Sequence, residues 1–331
     1  TNLAMAAFSK LVLLLAFALQ WAEVWIPGVA PLHSIGLLAR HALPCHGAGR
    51  HGRGAHRSRS SMLSTRPANA GGSEFPVDES RMGSTTLRLI PSSKGGAYYI
   101  DEGPGARFLI DSGAGYSSLR GGVKRGGFVA KIATRIGAET ISDGHGASFL
   151  PEECDGIVGW DFIQAAVKRR ITFDLRRRRL ELDVPRTSSG SLRQIAPLKI
   201  QKIGGSMLPC VDMDVFGSGS CIGARGIVDT GSMITIASTV LSTAAGLFPS
   251  DDGAYMNAAG FDGAFTKLPA MDAAGIRIGS IQRYRPRVWS GTPQMMHAVG
   301  IHTTPVALLG LDVLGPHFAI DLEEALLEVL D

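Results

Sequence analysis

The sequence predicts an all-β protein made of two related halves, preceded by a segment that builds no core. Three observations carry this expectation. The 331 residues include 42 glycines and 17 prolines, a turn-rich composition that favours short strands over long helices. Apolar residues make up 45% of the chain and charged residues 19%, a globular balance that excludes disorder throughout. One order of short motifs also occurs twice, which marks a duplicated structural unit. Four cysteines are too few for a disulfide scaffold at this length.

Residues 1–73 read as a targeting leader and linker. Lys10 precedes the apolar run Leu11-Val-Leu-Leu-Leu-Ala-Phe-Ala-Leu19. This run is like the core of a signal peptide starting at Met5, and is shorter than the roughly 20 apolar residues of a membrane span. No acidic residue occurs from Val24 to Ser73, where Arg, His, Ser, Gly and Ala dominate. A signal-like stretch followed by a transit-like stretch suits a protein sent to a complex plastid; a secreted protein with a basic prosegment is the alternative. Neither reading leaves a stable membrane span once the leader is removed.

The leader also accounts for the charge. It holds seven Lys/Arg and one acid, Glu23, so the body keeps 26 basic against 28 acidic residues. The formal net charge of +4 therefore belongs to the leader, and the body has no positive field to attract nucleic acid.

In the body, the first half spans residues 74–190 and the second 191–331, with the boundary near the polar stretch Arg186-Thr-Ser-Ser-Gly-Ser191. A short strand runs into an Asp-Ser/Thr-Gly turn in each: Arg107-Phe-Leu-Ile-Asp111-Ser-Gly-Ala-Gly115 and Arg225-Gly-Ile-Val-Asp229-Thr-Gly-Ser-Met233. Downstream in each is an apolar pair closed by glycine, Ile157-Val158-Gly159 and Leu308-Leu309-Gly310. A hairpin with a constant offset of 147 residues follows, from Phe173-Asp174-Leu175 to Leu182 and from Ile320-Asp321-Leu322 to Val329. Between Asp and Gly the second half is longer, and is expected to add a helix over Ala237–Leu247 and a strand at Ile276. A helix is expected over Asp161–Arg170. Asp161 and Asp312 are read as caps of the short helices after the glycines rather than as metal ligands. Arg176–Arg179 is read as a solvated hairpin tip. Cys210 and Cys221 flank a Gly-Ser turn and are left open between a disulfide and free thiols; Cys154 reads as a small buried thiol. No spacing of histidines or cysteines implies a metal, and none of these motifs implies a cofactor.

Asp-Ser/Thr-Gly-Ala/Ser after an apolar strand, followed by an apolar-apolar-Gly segment, twice over, resembles the aspartic peptidases. The spacing is closer to the retropepsin-like branch, with both halves in one chain. The resemblance covers roughly residues 86–331 and implies a bilobal all-β fold with two barrel-like lobes and a few short helices. It implies an endopeptidase whose catalytic residues are Asp111 and Asp229. In such enzymes two close carboxyls share a proton, so that one activates water while the other protonates the carbonyl oxygen. Gly113 and Gly231 would turn the two loops, and the Ser112 and Thr230 hydroxyls would lock them together. Ala114 and Ser232 follow the glycines. Only Ser232 has a hydroxyl to stabilise a carboxylate, which implies a less acidic working range. Peptide or protein substrate would lie extended between the halves as an added strand, under a hairpin expected within Phe128–His145. Both aspartates come from one chain, so a monomer is sufficient. The alternative is a catalytically silent peptide-binding protein of the same fold. A phosphate-loop reading of Asp-Thr-Gly requires long crossover helices that the sequence lacks.

Overall fold

A computed structural model of the chain describes residues 84–93, 97–103, 106–120, 127–141, 153–185, 193–259, 265–292, 296–297 and 300–330. They belong to one compact unit, Ala48–Asp331. The leader and the boundary stretch at 186–191 lie outside the described residues.

The first half opens with β1 (Thr85–Pro91), β2 (Tyr98–Asp101) and β3 (Arg107–Ile110), joined antiparallel. Phe108 and Ile110 of β3 are buried, and Arg107 and Leu109 less so, the alternation expected of a strand with one face on a core. Then come β4 (Ser118–Arg120), α1 (Phe128–Arg135), β5 (Glu139–Ile141), β6 (Gly156–Val158), α2 (Trp160–Ala166), β7 (Arg170–Asp174) and β8 (Arg179–Leu182). Strand β6 lies between β3, to which it is parallel, and β4, to which it is antiparallel. A strand enclosed on both sides and both faces must be apolar throughout. All three residues of β6 are buried.

The second half repeats this arrangement. Long strands β9 (Arg193–Ile203), β10 (Ser206–Phe216) and β11 (Cys221–Val228) form an antiparallel meander. They lead through β12 (Ile236–Ala237), α3 (Thr239–Ala245), β13 (Phe248–Pro249), β14 (Tyr255–Ala259), β15 (Phe265–Asp272), β16 (Gly275–Ile278), β17 (Ile281–Tyr284) and β18 (Arg287–Ser290). The chain ends with β19 (Val306–Leu309), α4 (Leu311–Leu314), β20 (His317–Asp321) and β21 (Leu326–Leu330). Strand β19 is parallel to β11 and antiparallel to β12, the relation β6 has to β3 and β4. The fold is all-β and internally duplicated.

The halves share a sheet in which β7 pairs with β20, β8 with β1, and β9 with β21. Register sets Phe173 opposite Phe318, and their rings stack at 4.6 Å. A bridge between buried side chains, Arg170 Nη2 to Glu328 Oε2 at 2.6 Å, links β7 to β21 across β20.

The structure departs from several of these expectations. No hairpin occupies the described part of Phe128–His145. Residues 128–135 are helical because Val129, Ala130, Ile132 and Ala133 place one apolar face on the core; residues 142–145 lie outside the described residues. The helix expected over Asp161–Arg170 ends at Ala166. There the Asp183 carboxylate accepts from the backbone N–H groups of Lys168, Arg169 and Arg170 and turns the chain into β7. Helix α3 is also shorter than Ala237–Leu247: the Ser238 hydroxyl accepts from the Leu241 N–H at its start, and Gly246, at φ 62°, stops it. The β10–β11 register places Cys210 opposite Ile227 and Cys221 opposite Phe216. The two thiols are thus held far apart along the ladder and form no disulfide, nor does buried Cys154. Burial pushes the Cys210 thiol up to about 11. Arg176–Arg179 is an exposed turn and strand start.

Candidate active site

The loops after β3 and β11 carry the two Asp-Ser/Thr-Gly sequences. Each is fixed at its first residue by the neighbouring parallel strand. The Asp111 N–H donates to the Val158 carbonyl and the Asp229 N–H to the Leu309 carbonyl, each at 3.0 Å. Each loop is also held from below by the chain after the apolar-Gly segment. Trp160 N–H donates to the Ala114 carbonyl at 2.7 Å, and Leu311 N–H to the Ser232 carbonyl at 2.9 Å.

The loops meet. The Ser112 N–H donates to Thr230 Oγ1 at 3.0 Å and the Thr230 N–H to Ser112 Oγ at 3.1 Å. In return, Ser112 Oγ donates to the Val228 carbonyl at 2.6 Å and Thr230 Oγ1 to the Ile110 carbonyl at 2.9 Å. Four reciprocal bonds between buried groups therefore join the strand ends that deliver the aspartates. Thr230→Val leaves the Ser112 N–H and the Ile110 carbonyl without their partner. At about 1–3 kcal/mol for each buried group left unsatisfied, the expected loss is about 2–6 kcal/mol in urea unfolding, with Thr230→Ser losing much less.

The grip brings the carboxyls together, and they share a hydrogen bond. Glycine is needed for this approach. A Cβ at Gly113 would stand 2.8 Å from Asp229 Cγ, and one at Gly231 would stand 2.5 Å from Asp111 Cγ. Each loop's glycine thus makes room for the other half's acid. The Gly113 and Ala114 N–H groups donate to Asp111 Oδ1 at 2.8 and 3.0 Å, and the Gly231 N–H donates to Asp229 Oδ1 at 3.0 Å.

Burial raises both carboxyls above the ordinary Asp range. For Asp111 it outweighs the hydrogen bond to Asp229 and the Ala114 and Gly113 amides, which favour the charged form. Asp229 is pushed well up by burial and then by the charge of Asp111 beside it. Two acids this close hold one proton between them over a range in which isolated aspartates are fully ionised, and the proton belongs to the pair.

Two sequence readings fail here. The Ser232 hydroxyl does not reach a carboxylate: it donates to the Ile234 carbonyl at 2.8 Å and accepts from the Ile234 N–H. With Ala114 in the other loop, neither carboxyl receives a hydroxyl bond from the residue after its glycine. Asp161 and Asp312 are not N-caps either, since Gly159 and Gly310 occupy those positions without a side-chain cap. Each carboxylate does accept one N–H of its helix's first turn, from Phe162 or Val313, and it also accepts from residues of the loops below the dyad, Ser117 and Thr235. Sequence reasoning missed both hydroxyls, although each stands six residues after its aspartate in both halves.

No protein-family model matches the chain, and no curated protein matches it. Solved structures similar to it include an aspartic proteinase from Irpex lacteus, at 11% identity and a TM-score of 0.39, the match covering 75% of this chain and 97% of that one. Basic 7S globulin from soybean is similar at 9% identity and a TM-score of 0.40, covering 75% of this chain and 96% of that one.

Proposed function

We propose that the chain is an aspartic endopeptidase in which Asp111 and Asp229 share one proton and activate a water molecule for attack on a peptide carbonyl. The observation that supports this most is the hydrogen-bonded carboxyl pair, held by reciprocal Ser112–Thr230 bonds and raised in pKa by burial. The ionised member takes a proton from the water while the protonated member donates to the carbonyl oxygen. As the tetrahedral diol collapses and its C–N bond breaks, the carboxyl that took the water's proton gives it to the leaving nitrogen while the other takes a proton from a diol hydroxyl, so the pair again holds one proton. A peptide substrate lies extended across the dyad, its backbone bonded as an added strand. Both acids come from one chain, so a monomer suffices. The leader takes this chain into the secretory pathway or onward to a plastid.

The test is turnover of a peptide library by the full chain. Cleavage should be blocked by a peptide mimic carrying a hydroxyl at the tetrahedral carbon and unaffected by chelators. Binding of that mimic without turnover of any peptide at any pH identifies the silent peptide-binding protein instead.

A further inference from the structure

Each catalytic-loop aspartate stands at the head of a hydrogen-bond chain that ends on a second carboxylate. In the second half the Asp229 N–H donates to the Leu309 carbonyl at 3.0 Å. The N–H of that same peptide group, on Gly310, donates to Thr235 Oγ1 at 3.1 Å. Thr235 Oγ1 donates onward to Asp312 Oδ1 at 2.7 Å, and the Thr235 N–H donates to Asp312 Oδ2 at 3.0 Å. The first half repeats the chain: Asp111 N–H to the Val158 carbonyl at 3.0 Å, Gly159 N–H to Ser117 Oγ at 2.9 Å, and Ser117 Oγ to Asp161 Oδ1 at 2.6 Å. The Ser117 N–H completes the fork on Asp161 Oδ2 at 3.0 Å.

Every donor in these chains points the same way, from the dyad residue's own amide toward the distal carboxylate. Bonds aligned head to tail polarise one another, and the last is made to a carboxyl oxygen that also accepts from the backbone of the helix after the glycine. The peptide group in the middle is rigid and planar, so fixing its N–H on the hydroxyl also fixes the carbonyl that holds the dyad residue. Ser117 and Thr235 are 1% and 0% exposed, which keeps water from replacing the hydroxyls.

We infer that Asp161 with Ser117 and Asp312 with Thr235 are positioning residues, which set the dyad aspartates through the Val158–Gly159 and Leu309–Gly310 peptide groups. The residues act through the backbone and touch neither substrate nor the reacting carboxyls. The kinetic part of this inference rests on the peptidase reading above; the structural part does not.

Thr235→Val keeps the shape and removes the hydroxyl, whereas Thr235→Ser keeps the hydroxyl. In the full chain, Thr235→Val should lower kcat by about 10-fold or more with KM within about twofold, since a small displacement of a reacting group costs rate rather than binding. Thr235→Ser should restore the parent rate. In parallel, hydrogen–deuterium exchange over residues 226–236 should quicken about 10-fold in Thr235→Val and not in Thr235→Ser. Ser117→Ala repeats both measurements in the first half, should Thr235→Val fail to fold. Parent kcat together with parent exchange in a folded hydroxyl-less variant overturns the inference. If the parent chain cleaves no peptide, the peptidase reading falls, and the exchange measurement still decides whether these chains hold the loops.

Discussion

Asp229→Asn and Asp111→Asn should each lower kcat for peptide cleavage by about 10³-fold or more, with the chain still folded. An amide takes no proton from water and provides none to a carbonyl, so either change removes one of the two proton transfers. A peptide assay across the acid range checks this, and parent-like rates in both variants would remove the dyad from the mechanism. The same variants carry an opposite effect on stability. Both carboxyls are raised above their ordinary range, chiefly by burial, so the folded protein binds their protons more tightly than the unfolded chain does. Their contribution to stability is therefore full below about pH 4, where unfolded aspartates are protonated. It is lost as the pH rises through the folded values. Asp229→Asn removes the charge that must be buried at high pH, and should unfold later than the parent at pH 7 by on the order of 1 kcal/mol. At about pH 3 that advantage should vanish. A protein that loses activity and gains neutral-pH stability by the same substitution is one that holds its site at a cost to the fold.

The second large effect lies away from the dyad, in the sheet shared by the halves. Glu328 is fully buried and Arg170 nearly so, and they meet at 2.6 Å. Glu328→Leu leaves a guanidinium in a site water reaches poorly, at an expected cost of about 3–5 kcal/mol in urea unfolding. Arg170→Met should cost as much by leaving the carboxylate. The double variant should recover most of the loss, because desolvating two charges consumes much of what their attraction returns. If the single and double variants are equally destabilised, the pair is not what holds β7 to β21. The comparison is a double-mutant cycle, and only the coupling between the two positions is read from it.

Much of this molecule is legible from short stretches of sequence. Arg107–Gly115 and Arg225–Met233 announce two strand-to-turn units because strand alternation and Asp-x-Gly turns are local properties. The 147-residue offset between Phe173–Leu182 and Ile320–Val329 exposes the duplication. Most of the errors fall where a side chain's partner is distant. Phe128–Arg135 becomes a helix because Val129, Ala130, Ile132 and Ala133 find a core to cover. Asp161 and Asp312 each accept one N–H of the following helix turn, as a residue at a helix start can, but their carboxylates also bind hydroxyls 44 and 77 residues earlier. Ser232 is the exception: its partner is local, and its hydroxyl closes on Ile234 two residues on rather than on a carboxylate. The separation of Cys210 from Cys221 is a matter of register, which no spacing of cysteines discloses.

By itself, then, the sequence determined that there are two similar β units, where each aspartate stands, and which small residue lets its loop turn. Those are consequences of a residue and its near neighbours. The tertiary structure alone decided that the two acids share a hydrogen bond, that Ser112 and Thr230 exchange bonds across more than a hundred residues, and that two further acids stand behind the loops. Pairings of this kind depend on which strand ends are brought together when the apolar faces are buried, and on the rise of a carboxyl's pKa once water has been excluded around it.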